Sequence, residues 1–105
     1  MTAPFDIKVS PGGVTLLTVS GDIDLAVVGQ LRDAVATALT QDQVTGVVID
    51  LEAVTFMDST GIGTLVGCWH QANAAGKTLH ITRARAQIER VLDITGVLQL
   101  LAAPS

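Results

Sequence analysis

Residues 57–67, Met57-Asp58-Ser59-Thr60-Gly61-Ile62-Gly63-Thr64-Leu65-Val66-Gly67, set a carboxylate and two hydroxyls side by side between two apolar stretches. Such residues serve in one of two ways. Asp, Ser and Thr all accept hydrogen bonds from the free N–H groups of a helix start, so Ser59 is a candidate N-cap. One residue suffices for a cap, however, and three compete here. Gly61 and Gly63 fall in the first helical turn, each costing roughly 1 kcal/mol relative to alanine, and they remove side-chain bulk beside Ser59. A serine in that setting can be reached by another protein's active site. A phosphate on it would meet free N–H groups and the positive end of the helix dipole, with Asp58 next door repelling it.

Catalysis by the same residues fits poorly. Ser59 lies in Met57-x-Ser59-x-Gly61, which lacks the first glycine of the hydrolase nucleophile elbow. His70 and His80 stand at spacings that define no triad. In Asp58-Ser59-Thr60-Gly61 the glycine comes one position too late for the aspartic-protease motif, whose all-β setting the helical pattern also contradicts. Gly61-x-Gly63 lacks the Gly-Lys-Ser/Thr ending of a phosphate loop, and Val66 stands where a dinucleotide fingerprint needs glycine. Cys68-x-His70 has no partner pair for a metal. No catalytic residue, metal or cofactor is expected. Asp22 and Asp24, in Gly21-Asp22-Ile23-Asp24-Leu25, read as a turn and N-cap. They read equally as an acidic rim near Ser59, if the strands ending near 20 and 51 are neighbours.

The elements that position these residues follow from periodicity. Residues 5–9 alternate as a half-buried strand, Pro11-Gly12-Gly13 turns the chain, and 14–19 pair back as a second strand that Gly21 ends. Leu25, Val28, Leu31, Val35 and Leu39 predict a helix over about 25–40 with Asp24 as its N-cap. Residues 47–51 read as a central strand buried on both faces, and 52–57 lead from it to Asp58. Ile62, Leu65, Val66, Trp69 and Ala72 form the stripe of a second helix, with Cys68 off it and Gly76-Lys77 closing it. A short strand at 79–81 precedes a third helix marked by Ile88, Val91, Leu92 and Thr95 and stopped by Gly96. Arg83, Arg85 and Arg90 read as that helix's solvated face. Residues 97–101 are short and apolar, and 102–105 are expected to fray. The order β-β-α-β-α-β-α predicts an α/β fold whose sheet contains parallel pairs.

Composition bounds the rest. The 105 residues make one domain, 1–105, with 49% hydrophobic residues but only 3% aromatic, so the core is aliphatic. A net charge of −4 argues against a nucleic-acid surface and against attraction to anionic lipid. Cys68 is the one cysteine, so no internal disulfide can form. Neither a signal peptide nor an apolar run of spanning length is present, and a cytoplasmic protein is expected. With no long heptad or exposed apolar helix face, a monomer is expected.

Three segments carry a family resemblance. Gly21-Asp22-Ile23-Asp24 is similar to the segment after the second strand of STAS domains of the bacterial anti-sigma factor antagonist type. Val48-Ile49-Asp50-Leu51 followed by Phe56-Met57-Asp58-Ser59-Thr60-Gly61-Ile62-Gly63 resembles that family's strand and its D-S-[ST]-G-[LI]-G signature. Val91-Leu92-Asp93-Ile94-Thr95-Gly96-Val97 is similar to its third-helix ending. The resemblance implies a STAS-type mixed sheet with helices packed mainly on one face.

It also implies a phosphorylation switch rather than an enzyme. The dephosphorylated antagonist binds a partner that is both anti-sigma factor and serine kinase, and so frees the sigma factor. Phosphorylation switches it off, and a serine phosphatase resets it. Carried over by residue, Ser59 is the phosphoacceptor, while Asp24, Asp58, Thr60 and Gly61 join it in the partner-binding surface. A bulky residue at 61 is then expected to block the partner without unfolding the domain. Asp50 matches a commonly acidic strand end and receives no role. Longer members continue past the Thr-Gly-Val segment, so the family's last helix is expected to be absent or replaced by a partner. The alternative reading is a STAS subunit of a larger signalling or transporter assembly.

Overall fold

The structure, a computed structural model, describes residues 4–102. Strand β1 (Asp6–Ser10) runs antiparallel to β2 (Val14–Ile23), which runs parallel to β3 (Gly46–Met57), itself parallel to β4 (Thr78–Thr82). The sheet order is β1-β2-β3-β4. Helix α1 (Val28–Leu39) connects β2 to β3, and α2 (Ser59–Ala74) connects β3 to β4. Helices α3 (Ala86–Ile94) and α4 (Val97–Leu101) follow. Because β2, β3 and β4 sit side by side in chain order, two right-handed crossovers place α1 and α2 on the same face. Leu17, Val19, Val47, Ile49, Leu79 and Ile81 point to that face and join Leu31, Val35, Leu65, Ile88, Leu92 and Leu101 in one buried cluster. The chain is thus α/β with a mixed sheet.

Among the described residues the opposite face carries no helix, and this corrects the reading of β3 as buried on both sides. Val48 is only half-buried there, in register with Leu16 and His80. Asp50, on the same face, is buried and ion-paired with Arg83.

Two strands outrun the sequence reading. Gly21 does not end β2 but sits inside it at φ +88°, where an added Cβ would stand 2.9 Å from the Pro4 carbonyl oxygen. β3 continues to Met57 rather than stopping at Leu51. The β2–β3 register slips twice, between Thr18 and Ser20 and between Gly21 and Asp22. Each slip inserts a residue on β3, so its buried positions fall at Leu51, Val54 and Met57. A spacing of three hides a strand from any search for alternation.

Glycine was read correctly as the stop of two helices. At the end of α2, Gly76 N–H donates to the Asn73 carbonyl at 3.0 Å and Lys77 N–H to that of Ala72 at 2.9 Å, with Gly76 at φ +72°. This is the six-residue closure that left-handed glycine permits. Gly96, at φ +77°, similarly stops α3, but the chain re-enters a helix at once. Five residues show too little periodicity to reveal α4 in advance. Ala102 is held by a parallel bridge to Ile81 rather than frayed, and 103–105 lie outside the described residues.

Candidate functional site

β2 and β3 bring the acidic residues together. Ile23 and Met57 are register partners, so Asp24 and Asp58 leave adjacent parallel strands at the same edge of the sheet. The Asp58 N–H donates to the Ile23 carbonyl at 3.4 Å, tying the two strand ends. Asp22, one step back, accepts a 2.7 Å bond from the Thr55 hydroxyl across the same pair of strands. No loop intervenes between β3 and α2: Asp58 alone makes the connection.

Asp58, not Ser59, caps α2. Its backbone is extended, at φ −96° and ψ −175°, and Oδ1 accepts from the Gly61 N–H at 3.0 Å. That spends the carboxylate on the third helical N–H and leaves those of Ser59 and Thr60 without backbone partners among the described residues. Ser59 is the first helical residue; its side chain is exposed and makes no hydrogen bond among the described residues. Thr60 is half-buried, and its carbonyl accepts the Thr64 hydroxyl at 2.8 Å. The capping role considered for Ser59 therefore belongs to its neighbour, and the serine oxygen is left free.

Gly61 faces inward. A Cβ there would stand 2.8 Å from Met57 Cγ, 2.9 Å from Ile23 Cγ2 and 3.1 Å from the Ile23 carbonyl oxygen. Its lack of a side chain lets the start of α2 close onto the ends of β2 and β3. The expectation that a bulky residue at 61 would leave the fold intact is thus corrected. Gly63, by contrast, is exposed with open space at its Cβ position, one helical turn above Ser59.

The packing face of α2 also differs from the expected stripe. Gly61, Thr64, Leu65, Cys68 and Ala72 are buried, whereas Ile62, Val66 and Trp69 are only half-buried. Small residues on the inward face bring the helix close to the sheet, and a reading guided by bulk selects the wrong side. Burial pushes the Cys68 thiol pKa up, away from the reactive thiolate.

Asp24 is not the cap of α1. The helix starts at Val28, and Val27 precedes it with no side-chain bond. Asp24 instead closes the turn before it: Oδ1 accepts from Ala26 N–H at 3.0 Å, and its carbonyl accepts from Val27 and Val28 at 3.1 and 3.2 Å. The turn leaves Leu25 three-quarters exposed, against its expected place on the helix stripe.

The arginines are corrected too. Arg83 lies in the connection after β4, at φ +58°, the one non-glycine in the left-handed region among the described residues. Its Nε donates to Asp50 Oδ2 at 3.2 Å and its NH1 pairs with Glu52 at 2.8 Å, while Arg85 Nε donates to the Glu52 carbonyl at 2.8 Å. The hydrogen bond from Arg83 holds the Asp50 carboxyl below the usual carboxylate range, against the opposing effect of burial. Asp50 therefore anchors the β4–α3 connection to β3. Arg90 alone of the three lies exposed on α3.

No helix among the described residues is long and apolar enough to cross a membrane. A family model described as the STAS domain matches residues 6–104. An anti-sigma-B factor antagonist of Staphylococcus aureus (strain NCTC 8325 / PS 47) is 36% identical over 83 residues, which span 79% of this chain and 76% of that protein. Among solved structures, an anti-sigma factor antagonist from Mycobacterium paratuberculosis superposes with a TM-score of 0.83 at 26% identity, covering all of this chain and 92% of that one. The anti-sigma factor antagonist SpoIIAA in its unphosphorylated form gives 0.78 at 22% identity, over 97% of this chain and 89% of that one, a likeness of fold.

Proposed function

The chain belongs to the STAS domain family, and we propose that it acts as an anti-sigma factor antagonist switched by phosphorylation of Ser59. In this reading the unphosphorylated form binds a partner that is both anti-sigma factor and ATP-dependent serine kinase, thereby releasing a sigma factor. A serine phosphatase restores the binding form. The observation that carries the proposal is the cap: Asp58 takes the helix N–H that a capping serine would take, so the Ser59 hydroxyl stands exposed and unbonded. The name of the Staphylococcus aureus relative supports the class of partner.

The geometry suits a switch that does not refold the domain. A phosphate adds a charge of about −1.5 to −2 at neutral pH. On Ser59 it can accept from the free N–H groups of the first helical turn, which hold it in place. The lip it then occupies already carries Asp58 and, from the adjacent strand end, Asp24. A partner covering that lip would have to desolvate concentrated negative charge. Phosphorylation therefore opposes binding by local charge and bulk.

Incubation with the cognate kinase and Mg-ATP should add one phosphate, on Ser59, read by mass spectrometry. Ser59→Ala should bind the kinase as the unmodified protein does, and Ser59→Asp at least about tenfold more weakly, or roughly 1.4 kcal/mol. Modification of Thr60 instead, or equal affinity of wild type, Ser59→Asp and the phosphorylated form, would defeat the proposal. The latter result would favour a STAS subunit held constitutively in a larger assembly.

A further inference from the structure

Beside the Ser59 lip the structure holds an apolar groove with no evident task in the fold. It lies between the end of β3 and α3, has a volume of about 260 Å³, and is lined by Thr55, Phe56, Met57, Gln87, Ile88 and Val91. Gln87 Nε2 donates to the Thr55 carbonyl at 3.3 Å, fastening the start of α3 to β3 and so fixing the groove's width. None of the lining residues is charged. Phe56, one of the chain's three aromatic residues, is 49% exposed at its rim. Val91 and Ile94, three residues apart on one face of α3, are 41% and 78% exposed. Val91 lines the groove together with the exposed Phe56 ring, Ile94 follows it one turn along α3, and none of the three gains from water.

Scale links this groove to the phosphorylation site. Phe56 precedes Ser59 by three residues, so their Cα atoms lie within about 11 Å. A protein interface of ordinary size buries about 800 Å² on each partner, a disc of roughly 16 Å radius. Phe56 therefore falls within the reach of an interface of that size centred on Ser59. Interfaces of this kind concentrate their binding energy in buried aromatic and aliphatic anchors and surround them with polar contacts. Asp24, Asp58 and Ser59 supply the polar part and the groove the apolar part.

We propose that the β3–α3 groove, lined by Phe56 and Val91 and continued along α3 by the exposed Ile94, is a docking site for an apolar side chain of the anti-sigma factor kinase. It is separate from the acceptor serine and carries no charge that a phosphate on Ser59 could oppose. The inference rests on the reading of Ser59 given above. The interface then has two parts: an acidic lip that phosphate weakens, and an apolar anchor that sets affinity in either state.

The test uses the full chain and the kinase that phosphorylates its wild-type form, with Mg-ATP. Two variants remove the anchor: Phe56→Ser, and Val91→Ser combined with Ile94→Ser. Val14→Ser, an exposed apolar residue at the far end of β2, is the control. The anchor variants should raise KM for Ser59 phosphorylation at least tenfold and leave kcat within twofold, with the control unchanged. Should Phe56→Ser prove unfolded by circular dichroism, the double variant decides, because Val91 and Ile94 lie on the outer face of α3. Wild-type KM in the double variant, a loss confined to kcat, or an equal loss in the control would overturn the anchor and leave the Ser59 switch standing. Failure of the wild-type chain to be phosphorylated on Ser59 would instead remove the switch, and the anchor with it.

Discussion

Ile23 and Met57 pair side by side at the ends of β2 and β3, and an aspartate follows each. Beyond that point the two connections diverge. Asp58 caps α2 directly, and the helix begins with the next residue. Asp24 bends its own chain through a turn, and α1 begins four residues later at Val28 with no side-chain cap. The difference lies in what stands three residues on. Gly61 occupies that place after Asp58 and lets the helix start settle against Met57 and Ile23. After Asp24 that place is Val27, half-buried. One junction is compact and presents a free hydroxyl. The other is looser and presents Leu25 to solvent. An aspartate after a strand is thus a weak signal until the residue three positions later is read with it.

The largest effect is expected from filling the space that makes the compact junction possible. Gly61→Leu would drive side-chain atoms into Met57, Ile23 and the Ile23 carbonyl. Overpacking against these buried side chains and the Ile23 carbonyl should cost about 3 kcal/mol, against a total stability of roughly 5–15 kcal/mol. Urea denaturation should show a lowered midpoint with little change in slope. A wild-type midpoint would mean that α2 can ride away from the strand ends, and the contrast between the junctions would lose its cause.

A third strand-to-helix junction extends the comparison. After β4, the left-handed Arg83 turns the chain and α3 starts behind Arg85 with no side-chain cap. Here an ion pair to the buried Asp50 replaces capping. Breaking a buried pair is costly, but Arg83 is more than half exposed and water can reach the break. Arg83→Ala should therefore lower stability only modestly at neutral pH. Arg83→Gly should cost less than Arg83→Ala, because glycine adopts φ +58° without strain. The sign of the pH dependence follows from Asp50. Its carboxyl pKa is depressed in the folded state, so the contribution is complete above the ordinary carboxylate pKa of about 3.9. It is lost as pH falls through the lower folded value. The stability gap between wild type and Arg83→Ala should thus be flat near neutrality and close in acid. A gap that widened there would refute the pairing.

These junctions show which features the sequence could disclose. Glycines at 76 and 96 were legible because a left-handed position after a helical stripe is a local requirement. The run from Asp58 to Gly61 stood out because its residue types clash with their apolar surroundings. Three features depend on partners far away in the chain and left no local mark. Arg83 reaches Asp50 across 33 residues, and its φ cannot be read from its type. The end of β3 lost its alternation to two register slips against β2. The inward face of α2 is built from Gly61, Thr64, Cys68 and Ala72 around Leu65, and only the nearness of the sheet explains that choice. The roles of Ser59 and Asp58 could be exchanged on sequence grounds, since either residue caps a helix well.

That exchange supplies the smallest and most discriminating prediction. Asp58→Ala removes the bond to the Gly61 N–H, and a lost cap costs about 1 kcal/mol. Asp24→Ala removes a turn bond at an exposed site and should cost less, about 0.5 kcal/mol. Asp58→Asn keeps a capping oxygen and should stay within about 0.3 kcal/mol of wild type. The helix in Asp58→Ala has a remedy that the other junction lacks. Ser59 can leave the first helical position, become the cap, and accept from the Gly61 N–H that Asp58 no longer holds. That recovers part of the lost stability and engages the hydroxyl that the wild-type junction leaves free. Ser59 in Asp58→Ala should then be phosphorylated more slowly than in Asp58→Asn, at temperatures where both are fully folded. Equal rates in the two variants would show that the freedom of the Ser59 hydroxyl does not depend on which residue caps α2.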